Sequence, residues 1–133
     1  MSAIAFRLEN AYGHVMETYI YKICPADLWE KAASKGVFKG AGIDLTDGYI
    51  HFSTADQVAE TADLHFSGLE DLVLVKVNTE TLDVKWEASR GGKLFPHLYA
   101  DLAMDSVIQV VPMPLDEQGL HIFPHEITPR HKK

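Results

Sequence analysis

The stretch Asp47-Gly48-Tyr49-Ile50-His51-Phe52-Ser53-Thr54 decides the fold class, because it reads as a turn, a short strand and a helix start in direct succession. Side chains alternate along a strand, so Tyr49, His51 and Ser53 share one face while Ile50 and Phe52 supply the other. Thr54 with Gln57 three residues later fits a capping box, which places a helix where the strand stops. A titratable ring, hydroxyls and backbone N–H groups then converge at a strand end. Sites for small anionic or polar ligands are often built this way. An edge-strand histidine beside a helix cap, with no ligand, reads equally well.

Outward from this stretch the chain alternates strands and helices. Thr18 to Ile23 has the β-branched and aromatic content of a strand, with Tyr19, Tyr21 and Ile23 on one face. Pro25 suits the first turn of a helix carrying Leu28, Trp29, Ala32 and Ala33, and Gly36 suits its end. Val37 to Thr46, with Gly40 and Gly42, reads as a loop. After Thr54, Ala55, Val58, Ala59, Ala62 and Phe66 recur at helical spacing, so one helix face should pack on a sheet. Leu72 to Val77 is nearly continuously apolar and is expected to be a central strand. Leu82 to Trp86, Val107 to Val111 and Leu120 to Phe123 are further strand candidates. Residues 87–106 mix charge, aromatic rings and turn residues without a period, as functional loops do. The expected organisation is a lead-in over 1–17, one α+β domain over 18–124 and a polar tail over 125–133.

A chain of 133 residues supports one domain with a real core. Its composition, 47% hydrophobic and 23% charged, is that of an ordinary soluble globular protein. No apolar run is long enough to cross a bilayer, and residues 1–17 lack the pattern of a secretion signal, so a cytoplasmic location is expected. The formal charge of -7 argues against nucleic acid as a general partner. Cys24 is the sole cysteine, which excludes an internal disulfide and any multi-cysteine zinc site, and a structural role is expected for it. The seven histidines show no standard zinc spacing, so no metal is expected.

Two segments supply the candidate site residues. The first offers His51, Ser53 and Thr54, the second Trp86, Glu87, Arg90, His97 and Tyr99. Arg90 beside Gly91-Gly92 suits a phosphate or carboxylate. Glu87 suits a ribose-like diol or a base, or an ion pair with Arg90. Pro96 fixes the backbone before His97, whose ring can be aimed at a ligand or at a loop carbonyl. Trp86, Phe95 and Tyr99 suit stacking on a planar ring, or a core.

Tyr21-Lys22-Ile23, Trp29, Gly48 to Thr54, Gln57, Trp86-Glu87, Arg90-Gly91-Gly92 and Phe95 to Tyr99 together closely resemble a small bacterial family catalogued as domain of unknown function 952. The resemblance runs from about Thr18 to Pro124. It implies an ADP-ribosyltransferase-like fold, a split mixed or antiparallel sheet with two main helices around a cleft, and it implies no established activity. A weaker resemblance is to RNA 2′-phosphotransferases, which use NAD on that fold and share a strand like Tyr49 to Ser53. Those enzymes carry a histidine, a glycine and a small hydroxyl residue after the tyrosine of the first strand. This chain has Lys22, Ile23 and Cys24 there, so the group expected to grip the nicotinamide ribose is missing. The implied site is a small-ligand pocket for a nucleotide or anion. His51, Glu87 and His97 would be its catalytic groups, and Tyr21, Lys22, Ser53, Thr54, Trp86, Arg90 and Tyr99 its ligand contacts, with NAD as the possible cofactor.

Overall fold

The computed structural model describes residues 8–9 and 15–128, with the backbone alone described at 8, 9, 15, 16 and 90. The elements in chain order are β1 (Leu8–Glu9), β2 (Val15–Met16), β3 (Tyr19–Pro25), α1 (Ala26–Lys35), β4 (Val37–Phe38), α2 (Ile43–Asp47), β5 (Ile50–His51), α3 (Val58–His65), β6 (Leu72–Asn78), β7 (Val84–Ala88), β8 (Leu94–Leu98), β9 (Leu102–Ala103) and β10 (Val107–Pro112). The architecture is mixed α+β with antiparallel pairing. One sheet runs β10-β6-β3 and a second runs β5-β8-β7, while β4 pairs with β9 and β1 with β2.

As its apolar run requires, β6 is the central strand of the first sheet. Its side chains alternate between two hydrophobic clusters. Val75 and Val77 join Ile20, Cys24, Trp29, Phe38, Ile50 and Phe52 on one face. Leu72 and Leu74 join Tyr21, Ile23, Val58 and Ala62 on the other. Each fully buried aliphatic chain of this kind contributes about 1.5–3 kcal/mol. Cys24 lies wholly inside the first cluster, where burial pushes its thiol up to about 11, in keeping with a structural role. Helix α1 ends at Gly36, whose φ of 81° lets its N–H reach back to the carbonyls of Ala32 and Ala33.

Among the described residues one backbone bridge links the two sheets. Phe52 N–H donates to Pro96 O at 3.0 Å, and Pro96 has no N–H to return the bond, so the β5–β8 ladder stops. One residue later Ser53 turns to the other sheet and exchanges 2.8 Å bonds in both directions with Tyr21. Gln57 then fastens the start of α3. Its side chain accepts from Thr54 N–H at 3.0 Å, as half of the expected capping box, and donates to Leu94 O at 2.8 Å.

Several segments differ from the sequence reading. The lead-in contains the β1–β2 pair, with Leu8 opposite Met16 and Glu9 opposite Val15. The supposed loop from Val37 to Thr46 holds β4 and most of α2. The aperiodic segment 87–106 is largely strand, since β7 reaches Ala88 and β8 is the middle strand of the second sheet. Leu120 to Phe123 makes only an isolated bridge, His121 opposite Leu115. Residues 125–128 return to the core rather than trailing away: Ile127 is 3% exposed and Thr128 N–H donates to Ala55 O. Residues 129–133 of the expected tail lie outside the described residues.

Candidate functional site

Because β5 and β8 pair in register, His51 stands opposite His97. Residues opposite one another share a face, so Tyr49, His51, His97, Tyr99 and Glu87 lie together while Ile50, Phe52 and Leu98 enter the core. The two sequence segments therefore meet. The His51 and His97 rings are 5.4 Å apart between centroids, and the Tyr49 ring lies 4.5, 4.3 and 4.8 Å from those of His51, His97 and Tyr99.

A cleft of about 620 Å³ opens beside this face, where β3 and β5 part beyond the Tyr21–Ser53 bridge. Its polar lining includes Tyr21, Lys22, Asp47, His51, Ser53 and His97, and its apolar lining includes Ile23, Leu28, Ile43, Phe52, Phe66 and Phe95. Ser53 is itself anchored, with Oγ 2.9 Å from Thr61 Oγ1 on α3.

His51 is clamped by two carboxylates from α2. Its Nδ1 lies 2.6 Å from Asp44 Oδ1 and its Nε2 2.9 Å from Asp47 Oδ2. The Asp44 side chain is fully buried and also receives the Lys22 ammonium at 2.7 Å and the N–H groups of Ala41 and His51 at 3.0 Å. Burial alone would push its carboxyl up. The Lys22 charge and the hydrogen bonds from Lys22, Ala41 and His51 together outweigh that, and hold it below the usual carboxylate range.

His97, 5% exposed, is held through Nδ1, which lies 2.8 Å from Glu87 Oε1. The same oxygen accepts from the Tyr99 hydroxyl at 2.6 Å. Hydrogen bonds from Tyr99 and then His97 keep the Glu87 carboxyl below its ordinary range, and the bond to Glu87 pushes Tyr99 up to about 12. An ionised Glu87 accepts but cannot donate, so the geometry assigns Nδ1 of His97 as the donor to it and leaves Nε2 as the other ring nitrogen. Nε2 has no hydrogen-bond partner among the described residues.

Glu87, Tyr99, Trp86 and Thr54 do not line the cleft. Glu87 and Tyr99 stand behind His97. Trp86 packs against the core from the opposite face of the second sheet, because it sits between Lys85 and Glu87 on an alternating strand. Thr54 is buried beneath the start of α3, with its N–H on Gln57. Arg90 begins a short 3-10 turn, and its side chain lies outside the described residues. Asp44 and Asp47 were missed by the sequence reading. Their spacing of three on a five-residue helix carries no periodic signal, and only the folded chain shows that both reach His51. Among the described residues no group of His, Cys, Asp and Glu could hold a metal ion, and no helix is long and apolar enough to cross a membrane.

Fold and site together define a small α+β protein with a histidine-bearing cleft at the split between two antiparallel sheets. The profile described as protein of unknown function (DUF952) matches residues 23–110, and the chain belongs to that family. The crystal structure of protein CC0527 from Caulobacter crescentus is similar at 44% identity and a TM-score of 0.75, over 79% of this chain and 94% of that one. The solution NMR structure of CC0527 is similar at 46% identity and a TM-score of 0.70, over 77% of this chain and 90% of that one. No curated protein matches.

Proposed function

We propose that the cleft binds a small polar ligand and that His97 acts on it as a general base, with Glu87 as its positioning residue. The observation that carries this reading is a fixed Nδ1 on a buried ring that lines the cleft, with an Nε2 that has no hydrogen-bond partner among the described residues. A hydroxyl or water bound beside Phe95 and Ser53 would give its proton to Nε2, while Glu87 stabilises the imidazolium that forms. The finer form of the reading is ribosyl or ADP-ribosyl transfer from NAD or a related nucleotide. The likeness of Tyr49 to Ser53 to the RNA 2′-phosphotransferase strand supports it by analogy of fold. A second reading, a non-catalytic binding domain using the same cleft, is favoured by Lys22. That lysine occupies the position where NAD users carry their ribose-gripping histidine, and it is committed to Asp44.

A thermal-shift screen with NAD, ADP-ribose, nucleotides and small carboxylates, run on the wild type, His51→Ala and His97→Ala, tests the site. Stabilisation that both substitutions weaken is the expected result. NAD consumption by the wild type that disappears in His97→Ala supports transfer. Binding without turnover supports the non-catalytic reading, and no response to any nucleotide sinks the transfer chemistry.

A further inference from the structure

Three charged groups gather around His51. Lys22 on β3 and Asp44 on α2 neutralise one another out of solvent, with side chains 8% and 0% exposed. That leaves the His51 ring, whose side chain is 29% exposed, facing Asp47, whose side chain is 35% exposed. Asp44 does not line the cleft, whereas Asp47 and His51 both do, so the bond from Nε2 to Asp47 lies on the cleft side of the ring. Asp47 is the last residue of α2, is followed by Gly48 at φ 85°, and lines the cleft together with His51.

We infer that Asp47 is an internal stand-in for a ligand anion: its carboxylate occupies, on His51 Nε2, the position that a carboxylate or phosphate group of the bound molecule takes over. A neutral imidazole donates from only one nitrogen, and the imidazolium donates from both. With Asp44 buried, paired with Lys22 and fixed on Nδ1, the partner of Nε2 is the one that can be exchanged. The charges that face His51 are Asp44 and Asp47 from α2 and Lys22 from β3, and the rings that face it are Tyr49 and His97. Removing the Asp47 charge shifts this set by one positive unit beside an apolar cleft. The ligand is therefore a molecule with one anionic group and a flat or aliphatic body that suits Phe95, Phe66 and Ile23.

The inference rests on the cleft being the binding site, and the test separates the two. Benzoate and its neutral isostere benzamide are titrated at pH 6 into the wild type, Asp47→Ala, Asp47→Asn and Asp47→Ala/His51→Gln, with binding mapped by NMR. Freeing a charged hydrogen bond from its internal competitor should tighten benzoate about tenfold in both single variants. Benzamide should be unchanged, and the double variant should lose the gain. A gain in affinity cannot come from misfolding. Benzoate that maps to the cleft with equal affinity in wild type and Asp47→Ala, or a gain shared by benzamide, overturns the stand-in while leaving the cleft reading intact. Absence of any shift at His97 or Phe95 in every variant overturns both.

Discussion

Replacing Asp44 with alanine strands the Lys22 ammonium where its side chain is only 8% exposed, and takes away the acceptor of two backbone N–H groups and one ring nitrogen. Breaking one side of a buried pair in this way should cost about 3–5 kcal/mol in urea denaturation. The double variant Lys22→Met/Asp44→Asn keeps an acceptor and removes both charges, so it should cost less than Asp44→Ala alone. The carboxyl of Asp44 ionises below its unfolded value of 3.8. Its stabilising contribution is therefore complete above that value and fades as the pH falls through the lower folded one. Acid unfolding of Asp44→Asn should show a shallower dependence on pH there, and an unchanged slope would remove Asp44 from the account. At this scale the sequence was partly legible. His51 and His97 declare themselves by type and neighbourhood, whereas Asp44 looks like any surface acid until Lys22, 22 positions earlier on another element, is brought against it.

Elements with strong local signals were readable, and those defined by distant partners were not. Helix α1 is bounded by Pro25 and Gly36, and β3 and β6 by their apolar runs. By contrast α2 is five residues long with Ile43 and Leu45 both exposed, so it has no apolar face to detect. Strand β8 was hidden by Pro96, which argues against a middle strand unless the neighbouring ladder ends at that residue, as it does here. Both Gly36 and Gly48 close helices in the left-handed region, with open space where a Cβ would stand. Alanine at either position should cost about 1–2 kcal/mol from the backbone alone. Urea denaturation should show similar losses for the two, while only Gly48→Ala, which strains the backbone beside Asp47, should change ligand affinity. Equal binding by both would disconnect α2 from the cleft.

At the scale of the molecule, one hydrophobic cluster draws Ile20, Val75 and Val77 from the first sheet together with Ile50, Phe52 and Leu98 from the second. Trp29 lies within it and Trp86 packs on it from the second sheet, so the indoles report on the shared core. Unfolding should be a single transition in which tryptophan fluorescence and far-UV circular dichroism coincide. Leu74→Ala, on the opposite face of the first sheet, should lower stability by about 2–5 kcal/mol without splitting that transition. Two separate transitions would mean that the sheets hold independently. The α+β class followed from the order of local patterns, but the division of the backbone ladder did not, because it depends on which residue faces Pro96. That proline has a wider consequence. Pro96 ends one ladder and Ser53 crosses to the other, so the opening between them is set by main-chain hydrogen bonds that are not made. A recess founded on an interruption of the backbone does not take its frame from any one wall side chain.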